Sequence, residues 1–424
     1  MTTSLRTSRT VLAAALAASA LIIAPLAGAP AALAAAGTAG GPTSAGSTAA
    51  SRASAGPTIA DPTIADPAAG GPTSADPTAD PALSLPAPTG PLPVGTTWAH
   101  FVDPDRRDPW RPEEQRELMV SLWYPAVPHG VPAPYTSEAV SAAIVASTGL
   151  PLDPAILTTV RTHARAEAPA LPGRRPLVVL SPGAGLSRES LTSLGEDLAS
   201  RGYVVAGVDH TYEARAVELP DGTVAPCLLC ERENTAEIGA WVTRGRAADI
   251  SFVLDELTRG RLWRHAPGID PRRVAVVGHS LGGAAAAAAI TLDRRVDVGV
   301  NMDGTFQVDL PETGVDKPFL MLGSVLHEDD AVDGTDWSDN RARLGADSRW
   351  LQVPTANHSS FTDQLMFLDQ AGLPLPEPGT LGGERGVRIT TAYVGAFLDR
   401  HLRGRPAPIL DGPSAAYPEV ERRG

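Results

Sequence analysis

Residues 273–283 read Arg-Val-Ala-Val-Val-Gly-His-Ser-Leu-Gly-Gly, and an alanine-rich stretch follows as far as Leu292. The run Arg273–Val277 is nearly all apolar, as in a strand buried on both faces. Gly278-His279-Ser280-Leu281-Gly282 then forms a G-x-S-x-G pattern between a strand and a helix. A serine at the tip of so tight a turn adopts strained backbone geometry. Side chains two positions before or after it would collide, so the turn demands glycine at 278 and 282. The helix that follows points its free N–H groups and positive dipole end at a forming oxyanion. Ser280 is the candidate nucleophile, and the N–H of Leu281 is a candidate oxyanion donor.

Outward from this turn, apolar runs and helical spacings alternate. Strands are expected at 116–124, 176–181, 203–208, 296–302, 318–322 and 350–353. Helices are expected at 189–200, 236–257, 281–292 and 390–402. The alternation implies an α/β fold, a mostly parallel central sheet with helices on both faces. Such sheets carry their chemistry in loops after the strand C-termini.

A serine hydroxyl needs a neighbouring base. Among nine histidines, His358 follows the last expected strand and precedes the closing helix. His210 and His327 also end strand-like runs and compete with it. His279 belongs to the turn itself, and His401 falls inside the closing helix. The acid has two candidate positions. Asp303 ends the strand after the nucleophile's helix, whereas Asp329 and Asp330 follow the next strand in a charged run. Ser181-Pro182-Gly183-Ala184-Gly185, after the run Pro176–Ser181, is a small turn able to aim a second N–H at the site.

The 424 residues carry a formal charge of −13, which disfavours nucleic acid or an anionic membrane surface as partner. Two cysteines exclude a stapled scaffold and an all-cysteine zinc site, so neither metal nor cofactor is expected. Residues 1–34 have a positive end, an apolar run and a small-residue cleavage site at Ala32-Leu33-Ala34, the order of a secretory signal peptide. Residues 35–95, rich in Ala, Gly, Pro, Ser and Thr, read as a disordered linker. Residues 96–405 are then one catalytic domain, and 406–424 a flexible tail. In a secreted chain Cys227 and Cys230 are expected to form a small disulfide loop. Residues 132–172 read as an insertion with helices at 138–147 and 154–164, a candidate lid over the site. The mature chain is expected to be a monomer with no stable membrane insertion.

Together these residues resemble the platelet-activating-factor acetylhydrolase-like branch of the α/β-hydrolases. The likeness extends from Arg116 to His358. It includes Leu122-Trp123-Tyr124-Pro125, the 181–185 turn, Leu198–Val205, Val208-Asp209-His210, Arg246–Asp249 and the 278–283 elbow. Asp303 and His358 lie 23 and 78 residues after Ser280, offsets similar to that family's acid and base. The resemblance therefore implies a Ser280–His358–Asp303 triad, with Ala184 and Leu281 as the oxyanion donors. It also implies a secreted esterase for short-chain acyl esters, including acetylated or oxidised phospholipids. Ser-Pro-Gly at 181–183 is instead similar to actinobacterial lipases and polyester-degrading cutinases, the runner-up reading. A catalytically inactive binding protein on the same fold is the alternative of another class.

Overall fold

The computed structural model describes residues 83–259, 266–324, 337–373, 375 and 381–423. The expected signal peptide, most of the linker, His327, Asp329 and Asp330 lie outside the described residues. Twelve strands are described. They are β1 (Val94–Arg107), β2 (Gln115–Pro125), β3 (Arg165–Ala166), β4 (Arg174–Ser181), β5 (Val204–His210), β6 (Ala216–Glu218), β7 (Val224–Pro226), β8 (Gly268–His279), β9 (Val298–Met302), β10 (Phe319–Gly323), β11 (Arg349–Gln352) and β12 (Glu421–Arg423). All but β6 and β7 join one sheet, in the order β12-β11-β10-β9-β8-β4-β5-β2-β1-β3. From β5 across to β11 every neighbour is parallel, and β2 joins β5 antiparallel. This is the mostly parallel α/β sheet that the run pattern implied.

The central strands read as unbroken apolar runs because both of their faces are covered. Leu177 and Val179 of β4, Val274 and Val276 of β8, and Phe319 and Met321 of β10 enter one core. Their alternates Val178, Leu180, Ala275, Val277, Leu320 and Leu322 enter the other. The first core is closed by α3 (Ala236–Thr258) and α4 (Leu281–Leu292), the second by α2 (Thr192–Arg201) and α7 (Gly383–Arg403). Thr235 caps α3 by accepting the Ile238 N–H, which sets where that helix starts.

Three expectations need correction. The tail after Arg405 is not loose: Leu410 and Val420 are buried, and β12 pairs antiparallel with β11, covering an otherwise open sheet edge. The domain begins before residue 96. Leu83 and Leu85 are buried, and their backbones exchange hydrogen bonds with Arg161. The insertion has one helix of the two expected, α1 (Glu138–Thr148), capped by Ser137. Residues 154–164 form only a short 3₁₀ turn at Ile156–Thr159. Thr158, Thr159, Val160 and Thr162 are β-branched and restrict a helix, and here the extended chain pairs with Leu83–Leu85 instead.

Beyond α5 (Trp337–Ala342), the insertion packs on α6 (Asp363–Gln370), where Tyr135 meets Phe367 edge-on at 5.1 Å. The Asp363 carboxyl is sealed beneath this contact and accepts the Ser193 N–H at 3.1 Å. Burial pushes it up to about 7 from an ordinary 3.8. The folded state thus holds a proton there that the unfolded chain releases. Stability from this group is complete below the unfolded value and is lost as pH rises through the folded one. Asp363→Asn should therefore shrink the fall in thermal midpoint between pH 5 and pH 8. An unchanged fall would remove Asp363 from the account.

Candidate active site

β8 delivers Ser280 and β9 delivers Asp303 at adjacent strand ends, since His279 and Met302 are register partners. Ser280 has φ 55° and ψ −125°, a strained conformation for a residue with a side chain. Its backbone N–H donates to the Met302 carbonyl at 2.8 Å, which locks the turn to β9. A Cβ added at Gly278 would lie 2.0 Å from the Gly282 carbonyl oxygen, and one at Gly282 would lie 2.0 Å from that of Ser181. Both glycines are there because backbone occupies the space. Ser280 itself remains half-buried.

The expected acid and base, Asp303 and His358, meet. His358 Nδ1 lies 2.7 Å from Asp303 Oδ2 and donates to it. The Asp303 side chain is fully sealed, while that of His358 keeps 30% of its surface, so the imidazole is reachable and its orienting carboxylate is not. Asp303 is held in turn by Ser324, whose N–H donates to Oδ1 at 2.6 Å and whose hydroxyl donates to Oδ2 at 3.0 Å. Ser324 was missed in the sequence; its signal was a polar residue directly ending the buried run 319–323.

His279 is not a second base. Burial, and behind it the neighbouring His358 ring, lowers its pKa to about 3. Being neutral, it donates Nε2–H to the His358 carbonyl at 2.8 Å, and the two rings lie 4.6 Å apart. His279 thereby ties the His358 backbone to the 278–282 turn. Among the described residues the Ser280 hydroxyl makes no hydrogen bond. Catalytic hydrogen bonds of unliganded sites often tighten only with substrate bound.

The 181–185 turn stands against the elbow. A Cβ at Gly183 would come 3.2 Å from the Ser280 Cβ. Neither the Ala184 nor the Leu281 N–H donates a hydrogen bond among the described residues, and Ala184 is exposed. Both donors are free to receive an anionic oxygen. His401 lies inside α7, tilted against Phe397 with ring centroids 4.5 Å apart, and the rival base His327 lies outside the described residues. His210 is buried between Ser181 and Asp249, away from solvent. Cys227 and Cys230 form the expected disulfide, and a Cβ at Gly185 would lie 3.3 Å from Cys230 Sγ. The disulfide therefore underlies the turn.

Residues 79–219 match the family model described as platelet-activating factor acetylhydrolase, isoform II. A probable 1-alkyl-2-acetylglycerophosphocholine esterase from Arthroderma benhamiae is 27% identical over 261 residues, 58% of this chain and 65% of that protein. The platelet-activating factor acetylhydrolase of Bos taurus is 26% identical over 271 residues, 54% of this chain and 57% of that protein. The chain thus spans less than two thirds of the length of these curated relatives. A solved ferulic acid esterase from Streptomyces cinnamoneus is similar with 45% identity and a TM-score of 0.73, over 81% of this chain and 100% of that one.

Proposed function

Because the chain belongs to the platelet-activating-factor-acetylhydrolase-like esterases of the α/β-hydrolase type, we propose that it is a secreted serine carboxylic-ester hydrolase. The observation that carries this reading is the 2.7 Å His358–Asp303 pair at the strand ends that flank a strained, accessible Ser280. In the proposed cycle Ser280 Oγ attacks the ester carbonyl carbon and His358 Nε2 takes the hydroxyl proton. The carbonyl electron pair becomes an oxyanion received by the Ala184 and Leu281 N–H groups. Collapse expels the alcohol, which leaves with the proton held by His358. Water, deprotonated by His358, then releases the acid from the acyl-enzyme. Asp303 holds Nδ1–H throughout, so that Nε2 starts as an acceptor.

The substrates proposed are short-chain acyl esters, among them acetylated or oxidised phospholipids, the acetylated ones in keeping with the curated relatives' names. A second reading, hydroxycinnamoyl esters, is favoured by the higher identity to the solved ferulic acid esterase. The deciding experiment is a panel of p-nitrophenyl acetate, butyrate and palmitate, methyl ferulate and a 2-acetyl phosphocholine lipid, run alongside fluorophosphonate labelling. Labelling at Ser280 with highest kcat/KM on acetyl esters supports the first reading. A preference for methyl ferulate selects the second, and a preference for palmitate selects a lipase. No labelling and no turnover would leave an inactive binding protein.

A further inference from the structure

Beneath the turn lies a second serine–histidine–aspartate constellation. His210 Nδ1 lies 2.8 Å from Asp249 Oδ2, and His210 Nε2 lies 2.9 Å from Ser181 Oγ. Burial and the nearby Arg246 lower the His210 pKa and keep the ring neutral. Nδ1–H therefore donates to Asp249, and Nε2 accepts the Ser181 hydroxyl. Ser181 is 0% exposed, His210 2% and Asp249 1%, so no substrate reaches this relay. Its first member instead opens the turn that carries Ala184.

The same turn is gripped at two further points. Arg246 donates Nη1–H to the Pro182 carbonyl at 2.5 Å and Nε–H to Glu213 Oε2 at 2.7 Å. The Glu213 backbone carbonyl accepts the Gly185 N–H at 2.8 Å, and the Gly185 carbonyl accepts the Arg215 N–H at 3.1 Å. Arg246 thus ties Pro182, before Ala184, to Glu213, which holds Gly185, after it. Arg116 anchors the far end: Nη2 lies 2.6 Å and Nε 3.1 Å from the two Asp249 oxygens. Pro182 and Gly185, on either side of Ala184, are both held, while among the described residues the Ala184 N–H donates no hydrogen bond.

We infer that the buried Ser181–His210–Asp249 relay and the Arg246–Glu213 bridge set the height and tilt of the Ala184 N–H, making His210 and Arg246 positioning residues for the oxyanion. This inference rests on the esterase reading and deepens it. A turn free to rotate its peptides would lose the donor only in the transition state, because the ground-state carbonyl needs it less.

The test compares Ser181→Ala and Arg246→Lys with wild type on p-nitrophenyl acetate, with rates expressed per Ser280 titrated by fluorophosphonate. Losing an oxyanion donor outright costs about 10²–10³ in rate, so a displaced one should cost about 10- to 10²-fold in kcat with KM within about 3-fold. A trifluoromethyl ketone supplies the second readout. Ser280 Oγ bonds to its carbonyl carbon, the hydroxyl proton passes to His358 Nε2, and the carbonyl pair becomes an oxyanion seated where the donors point. Its Ki should rise in proportion to the loss in kcat/KM, which a merely structural role would not produce. Arg246→Lys retains one donor toward Pro182 and should lose less than Arg246→Gln. If a buried Arg246 variant fails to fold, Ser181→Ala, lacking a single hydroxyl, decides. Wild-type kcat per titrated site and an unchanged Ki in Ser181→Ala would overturn the inference while leaving the esterase reading intact. Turnover persisting in Ser280→Ala would instead overturn that reading.

Discussion

Ser280→Ala should lower kcat on p-nitrophenyl acetate by about 10⁶-fold, the scale seen when the nucleophile of a serine hydrolase is removed. On the proposed mechanism the oxyanion donors and the base survive in this variant but no acyl-enzyme can form, so any pre-steady-state burst should vanish with the steady state. The fold should be almost untouched. The Ser280 hydroxyl makes no hydrogen bond among the described residues, and alanine keeps the same Cβ in the same φ 55° backbone. Surface changes without a lost partner usually fall within about 0.5 kcal/mol. The thermal midpoint should therefore stay near wild type while activity disappears. A variant retaining a tenth of wild-type turnover would place the nucleophile elsewhere.

The contrast between a dead site and an intact fold reflects how the sequence encodes each. The sheet was legible because β4, β8 and β10 are buried on both faces and so could be written only in apolar residues. The elbow was legible because backbone fills the space that side chains at 278 and 282 would need. β1 was missed: Val94–Arg107 alternates with polar residues and contains Pro104, as befits a strand near the sheet edge, and this is a weak signal by itself. The 154–164 segment was misread because a helical spacing of apolar residues there competes with five β-branched positions, and long-range pairing to Leu83–Leu85 wins. The buried relay left a signal of a different kind. Arg246 and Asp249 fall on the buried stripe of α3, among Val242, Ala247, Ile250 and Val253, where a charge is costly unless paired. Ser181 and His210 each end a buried run. Nothing in the sequence says that these ends converge, because that follows from β4 and β5 being neighbours in the sheet.

Asp303 is the least legible member of the proposed triad, and its replacement is the sharpest test of the geometry. Asp303→Asn should lower kcat at neutral pH by about 10⁴-fold, through the tautomer of the base rather than through lost packing. The Ser324 N–H donates to Oδ1 at 2.6 Å, so that position must stay an acceptor. In the asparagine variant the amide oxygen takes it, and the NH₂ group is forced into the Oδ2 position, 2.7 Å from His358 Nδ1. A donor there turns Nδ1 into an acceptor and puts the ring proton on Nε2. The base then faces Ser280 already protonated and cannot accept the hydroxyl proton. KM should move by no more than a few fold, because Asp303 is sealed from the substrate side. Asp329→Asn and Asp330→Asn, the rival positions, should leave kcat within a few fold of wild type. Should Asp303→Asn keep most of its turnover while one of those two loses it, the orienting carboxylate would belong to the segment after β10, and the pairing with His358 would be structural.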